Sequence, residues 1–366
     1  MLRRHDNVVT NVAPLTTTIA DAMHASMYRH VRIEALHHLM PPHRVLSSTI
    51  EEELRDTYAR CAVPMGLIEG LVGVTARRFW DEGVTIDGLA TDVVRGLLEQ
   101  RPGLSPDMIV STSVCKDYIE PSVAALVAGA LELKPECITF DVSNACLGFL
   151  TGIDLAARRI EAGEIECAVV VAAESSRHVT RSTVDRLKQA TTTTPEFRES
   201  MPTLTLGSAA VAMLLVHERV ATTNHRVNGM VTLGDPKSSR ICLGTPEWMK
   251  TDGQALLKNG IELAARTWAL AAERFGWTVD GIDQFLCHQV GARHISALTK
   301  RLEIPQERVF LTFPELGNTG PAAVPMAMSL AVQGWEHSPP TITDGSRLAL
   351  LGIGSGLTVS MMDVVW

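Results

Sequence analysis

The chain has 366 residues, 46% of them apolar and 20% charged, enough for one large two-lobed body or two ordinary domains around a sizeable core. A formal net charge of -8 excludes nucleic acid as a main partner, because neutralising phosphates needs a basic face, and it gives no pull toward anionic membranes. The seven cysteines are odd in number and scattered, with Cys137, Cys167 and Cys287 inside apolar runs, which is the usage of reduced thiols in a cytoplasmic protein and not a disulfide framework.

In chain order, residues 1–27 begin with basic residues but lack the apolar run of a secretion signal, and they read as an N-terminal extension. No apolar stretch approaches the roughly 18 residues of a membrane span. His37, His38 and His43 are interrupted by Pro41 and Pro42 and joined by no cysteine, so they read as a solvated loop; no metal site is expected. MIVSTSV, with its core at 109–114, is a β-branched run that suits a buried strand. After the linker 115–120, Pro121 and Ser122 open a helix running PSVAALVAGALEL, with proline in the first turn where its missing N–H costs nothing. CITFDVSN is a strand ending in a polar turn, Cys146 heads a long helix that Gly163 stops, and CAVVVAAES is a fully apolar strand. The polar, threonine-rich stretch 180–206 reads equally as a lid, a dimer arm or a loop.

The second half repeats this order about 170 to 180 residues later. QFLCHQV is a strand ending at His288, 294–303 is helical, RVFLTF is a strand, GNTG a turn and PAAVPMAMSLAVQGW a helix. RLALLGIGSGLTVSMMDVVW reads as two strands joined at a glycine turn. Apolar strands without polar alternation, separated by helices, predict sheets covered on both faces. Two such units give an α/β body layered αβαβα, with halves 28–215 and 216–366.

Three residues stand where chemistry collects, at the carboxyl ends of strands. Cys146, in SNACLG, follows a strand and starts a helix, where the helix dipole is expected to favour the thiolate. From position alone a buried structural cysteine remains an equal reading. His288 emerges at a strand end, where it can donate to a carbonyl or move a proton; taken alone, a core histidine fits as well. Asn318, in LGNTGP, offers an amide to a thioester or enolate oxygen, or is an ordinary turn residue. Their joint placement fits acyl transfer through a thioester. The run 352–357, GIGSGL, has Leu357 where a dinucleotide fingerprint needs its third glycine and opens no helix. Its backbone at Gly354, Ser355 and Gly356 can instead serve an oxyanion.

These elements, in this order, resemble the thiolase superfamily and its ketoacyl synthase III branch over about residues 28–366. The segments VGVTARRFWDEGV, STSVCKDYIEPS, TFDVSNACLGFLTGIDLAARRIEAGEI, IDQFLCHQV and LALLGIGSGL are similar to the OleA family, which condenses two acyl-CoAs head to head in long-chain olefin and β-lactone pathways. The resemblance implies a duplicated thiolase fold in five layers and a Cys–His–Asn triad at Cys146, His288 and Asn318. It implies coenzyme A thioesters as substrates, with no metal or redox cofactor. It implies an obligate dimer, homodimeric or, as in some β-lactone relatives, of two unlike subunits. Glu120, just before Pro121, corresponds to the family's glutamate that reaches into the partner's site as the base removing an α-proton; read alone, it is an exposed loop acid. Arg77 and Arg78 are expected near the CoA phosphates, or as plain surface arginines. Two other readings remain: a decarboxylating synthase III using a malonyl extender, and a subunit that supports an active partner.

Overall fold

The structure, a computed structural model, describes residues 25–335 and 338–366, so residues 1–24 of the expected N-terminal extension lie outside the described residues. Ten strands form the main sheet: β1 (Ala25–Met27), β2 (Val31–Leu39), β3 (Met108–Ser111), β4 (Ile138–Asp141), β5 (Cys167–Glu174), β6 (Ala209–His217), β7 (Arg226–Gly234), β8 (Gln284–Cys287), β9 (Arg347–Gly354) and β10 (Thr358–Val365). Six helices cover them: α1 (Ile86–Glu99), α2 (Val123–Ala130), α3 (Gly148–Glu161), α4 (Gly253–Phe275), α5 (Ala292–Leu302) and α6 (Ala323–Gln333).

The sheet falls into two parts. One runs β2-β6-β5-β3-β4 and the other β7-β10-β9-β8; the single pair Arg32–Arg226 joins β2 to β7, and β1 adds to the outside of β7. Counted along each half, the order is first, fifth, fourth, second, with β4 third in the N-terminal half. In the C-terminal half the third position is held by one parallel bridge, Phe285 to Val309. Strand directions match too: β3 and β5 are parallel as β8 and β9 are, and β5 and β6 are antiparallel as β9 and β10 are.

Side-chain alternation builds the layers, because successive residues of a strand point to opposite faces. Val110, Val170 and Met213 face the same cluster as Leu286, Leu350 and Met362, and between them lie Ile153 and Ala157 of α3 and Ala327 and Leu330 of α6. Ile109, Val169 and Leu214 face outward onto α1 and α2. Phe285, Ala349 and Met361 face outward onto α4 and α5. The result is the five-layer thiolase fold. Residues Ala323–Ala331 of α6 are all buried, as expected of a helix that is apolar all round and sandwiched between two sheets. Glycines let α3 approach its sheet: a Cβ on Gly152 would sit 2.8 Å from Val170 Cγ1 and 2.9 Å from Thr112 Cγ2.

Three expectations change. Pro121 precedes α2 instead of opening it; Ser122 is the N-cap, its hydroxyl accepting from Ala125 N, and Asp141 accepts from Val123 N and Ala124 N at 3.0 Å each. RVFLTF is not a strand beyond Val309. The Gln289 amide takes its backbone groups, donating to Phe310 O at 2.6 Å and accepting from Thr312 N at 2.8 Å, and Phe313–Leu316 is a short helix. The 180–206 stretch is not a plain loop. It folds into helices Arg177–Leu187 and Thr194–Ser200 and the turn Thr203–Thr205, with Thr180, Thr183 and Thr203 buried.

Candidate active site

Cys146 lies in a 3₁₀ turn, Ala145–Leu147, between β4 and α3, so the α-helix itself begins two residues later than expected, at Gly148. Ala145 has φ 45°, the left-handed region that an L-residue occupies only when its surroundings hold it there. The turn is held by Leu147 N donating to Asn144 O at 3.0 Å and by Asn144 Nδ2 donating to Thr151 Oγ1 at 2.9 Å. The expected lowering of the thiol is reversed. Burial pushes Cys146 up to about 12, and its charged-state neighbours, Cys242 and Glu174, add to the shift because both would be anionic. The backbone hydrogen bond at Cys146 lowers it, but by less than the loss of water raises it.

The glycine turn between β9 and β10 lies against this segment. A Cβ on Gly354 would meet Asn144 O at 3.0 Å and Leu147 Cβ at 3.0 Å, so only glycine lets the strand end approach. Gly356 then has φ 90° and Leu357 φ 46° as the chain reverses through Ser355. Asn318 arrives from the other side. Its N–H donates to Thr205 O at 2.9 Å and its carbonyl accepts from Gly207 N at 2.8 Å. Its Oδ1 accepts from Gly320 N at 3.0 Å, which leaves Nδ2 as the group with which to donate. The following turn brings Pro321 against the first residue of α3: a Cβ on Gly148 would lie 3.7 Å from Pro321 Cβ.

His288 follows β8, with its N–H donating to Leu351 O at 2.8 Å. It lines a pocket with His294, Gly352 and Ile353, two residues from Gly354. Its Nδ1 is buried and has no hydrogen-bond partner among the described residues, and neither has Nδ1 of His294. Burial, then the neighbouring His294, lowers His288 to about 3, and burial lowers His294 to about 4. Both rings are therefore neutral at physiological pH, able to donate from one nitrogen and accept on the other.

The Cys146 turn, the turn after Asn318 and the Gly354 strand end thus pack together, with His288 at the neighbouring strand end beside Gly352 and Ile353. Glu120 does not join them within one chain. It is exposed, on the loop 112–122 between β3 and α2, beside Tyr118 at 55% and Ile119 at 100% exposure. The two arginines divide. Arg77 is fully buried; its Nη2 donates to Leu204 O at 2.7 Å, its charge faces Glu51, and burial lowers it to about 10. The expectation that it meets CoA phosphates is corrected, since its guanidinium ties the hairpin His43–Leu46/Ala76–Phe79 to the 203–205 turn. Arg78, the alternate residue on that strand, is half-buried, with Nη1 3.5 Å from Pro41 O.

Sequence reasoning missed Glu174. At the end of β5, its buried carboxylate accepts from Val114 N at 2.7 Å and Cys115 N at 3.2 Å. Burial raises it to about 7. It also missed His294 and the backbone role of Gln289; the HQ pair was legible, the amide's targets were not.

The 3-oxoacyl-(acyl-carrier-protein) synthase III family matches residues 140–230, and the C-terminal family of the same synthases matches residues 272–366. The chain is 38% identical to an acyl-CoA:acyl-CoA alkyltransferase of Xanthomonas campestris, over 93% of this chain and 100% of that protein. It is 35% identical to an acyl-CoA:acyl-CoA alkyltransferase of Shewanella oneidensis, over 93% and 99%. A β-ketoacyl-(acyl-carrier-protein) synthase III of Cereibacter sphaeroides is 28% identical over 80% of this chain and 88% of its own. The structure of a cysteine-to-serine Xanthomonas campestris OleA with bound lauric acid and lauroyl-CoA has a TM-score of 0.88, covering 93% of this chain and all of that one at 38% identity. The same OleA is known in structures with a glutamate or a histidine replaced.

Proposed function

The chain belongs to the acyl-CoA:acyl-CoA alkyltransferase family, the OleA branch of the thiolase superfamily, and we propose that it joins two acyl-CoAs through an acyl-Cys146 intermediate. It is an acyltransferase of head-to-head condensation. The observation that supports the finer reading is the packing of the Cys146 turn against Gly354 and against Pro321 after Asn318, with His288 at the adjoining strand end. A second support is spacing: the cysteine, glutamate and histidine replaced in Xanthomonas OleA are separated along that chain as Cys146, Glu120 and His288 are here.

The first acyl-CoA gives its acyl group to the Cys146 sulfur, and the thiol proton leaves with CoA-SH. The buried resting thiol must therefore lose its proton during attack, and the departing CoA thiolate takes it. The backbone N–H groups of Cys146 and of Gly354, Ser355 and Gly356 serve the thioester oxygen. His288 and Asn318 Nδ2 donate to the carbonyl of the second acyl-CoA. Glu120 of a second subunit takes its α-proton, and the carbanion attacks the Cys146 thioester, releasing the thiolate. The product is a 2-alkyl-3-oxoacyl-CoA, hydrolysed to the β-keto acid. Exchange at thioesters leaves every carbon's electrons accounted for without a redox group. Arg78 is the residue kept for CoA phosphate. A dimer fits this reading because Glu120 is exposed, and the exposed Tyr118 and Ile119 supply apolar surface beside it. Among the described residues no helix is long and apolar enough to cross a membrane; the reading puts the enzyme in the cytoplasm, where CoA thioesters are found.

Incubation with lauroyl-CoA alone, without a malonyl extender, is expected to yield a condensed product by mass spectrometry, with an acyl adduct on Cys146. Product only when malonyl-carrier protein is added would favour the decarboxylating synthase, which has weaker support at 28% identity. An absent adduct on Cys146 would favour a supporting subunit.

A further inference from the structure

The two halves treat one fold position differently. After β8, His288 N donates to Leu351 O at 2.8 Å and the chain enters α5 at Ala292. After β3, Thr112 N donates to Val171 O at the same 2.8 Å, but the chain then leaves the sheet through residues 113–122. The N–H groups of Val114 and Cys115 are taken by a side chain, not by a strand. Glu174 holds Val114 N with one carboxylate oxygen and Cys115 N with the other. Ser113 Oγ adds a bond from Ala173 N at 2.9 Å, and Asp141 fixes the loop's far end at Val123 and Ala124. Residues 118–120, between these anchors, are exposed.

Glu174 also faces the reacting groups. A Cβ on Gly320, in the turn after Asn318, would lie 3.8 Å from Glu174 Cδ, and the carboxylate is a charged neighbour of Cys146. A carboxylate is not what the strand end itself demands: Gly354 ends the equivalent β9, where the register pairs of β3 with β5 and of β8 with β9 correspond. A glutamate buried at a cost, and bonded to two successive N–H groups, fits a role in fixing a loop more than in filling a core.

We propose that Glu174 is a positioning residue: it sets the root of the Glu120-bearing loop against the Cys146–Asn318 site, and so places the base that a second subunit receives. The inference rests on the reading of Glu120 as that base. It separates the half-reactions. Loading of Cys146 needs no α-proton removed, whereas condensation does.

The test is Glu174→Gln, which keeps the reach but has one acceptor oxygen. Hydrogen–deuterium exchange of the peptide spanning 114–119 is expected to quicken about tenfold, with the rest of the chain unchanged. Condensation should fall about 10- to 100-fold, while lauroyl loading of Cys146, followed by intact mass, stays within about threefold. Val114→Pro removes one donor and leaves the carboxylate, and it gives the same split if Glu174→Gln folds poorly. Equal losses in loading and condensation, or an unchanged exchange rate at 114–119, overturn the proposal. If the wild type loads Cys146 but never condenses, the functional reading fails instead, and the exchange measurement still decides the tie.

Discussion

Residues 112–122 and 288–291 occupy the same place in the two halves, each leading from the second strand into the helix that follows. The C-terminal version is short, and His288 stays buried at 3% exposure beside the sheet. The N-terminal version is long and carries Glu120 out into solvent, next to a fully exposed Ile119. One duplicated frame therefore supplies two kinds of group. A short loop delivers a neutral ring to its own site, desolvated and ready to donate. A long loop carries a carboxylate out to the surface, where the proposed second subunit would receive it. The two strand-to-helix junctions that follow, at Cys146 and Asn318, remain alike: each is a tight turn feeding a buried central helix.

The sharpest break in this comparison comes from removing the junction thiol. Cys146→Ala is expected to lower condensation by at least about 10⁴-fold and to abolish the acyl adduct seen by intact mass. Glu120→Gln should cost about 10²- to 10³-fold in condensation while leaving Cys146 loading intact, measured by CoA release in a single turnover. Mixing the two inactive variants then tests where Glu120 acts. In a dimer with exchanged glutamates, a mixed pair has one site with both defects and one with neither. Random pairing should restore about a quarter of wild-type activity. No recovery after subunit exchange would put Glu120 in its own site and undo the contrast between the loops.

A smaller effect probes the resting thiol. Because burial holds Cys146 up at about 12, iodoacetamide should alkylate it about 10²-fold more slowly than an exposed thiol at pH 7.5. The rate should climb with pH across the neutral range. A fast, pH-independent reaction would mean a thiolate already formed, and would restore the expectation drawn from the helix dipole.

What was legible in the chain was local. SNACLG, GNTGP and GIGSGL carry their turns and their chemistry within a few residues, and the structure brings them together. The helix Gly253–Phe275 was open to the same reading, through the helical spacing of Gly260, Leu263, Ala264, Thr267 and Ala271. What was hidden depends on partners distant in sequence. Arg77 and Arg78 are neighbours on one strand, and only the turn at 203–205 decides that Arg77 is the one spent inside. RVFLTF has the composition of a strand, but Gln289 competes for its backbone. The threonines of 180–206 have poor helix propensity, yet Thr57 Oγ1 donating to Leu187 O and the Arg186–Glu196 ion pair hold helices there. Glu174 reads as the acid that ends an apolar strand until Val114 and Cys115 are seen to turn toward it.

The gentlest test of the two loops is their effect on stability with pH. Burial lowers His288 from an ordinary 6.5 to about 3, so the folded state favours the neutral ring. A depressed histidine contributes stability that is fully present above pH 6.5 and is lost as pH falls from there toward 3. Between pH 8 and pH 5 that loss is about 2 kcal/mol for one such ring. His288→Asn has no ring to protonate, so its unfolding free energy should fall by about 2 kcal/mol less than that of the wild type over the same interval, read from urea midpoints. His294, lowered to about 4 by burial, should keep a similar slope in that variant. Glu120→Gln, at an exposed side chain, should leave the wild-type curve within about 0.5 kcal/mol at both ends. If His288→Asn keeps the full acid sensitivity, the histidine is hydrated in solution and the two loops differ less than their lengths suggest.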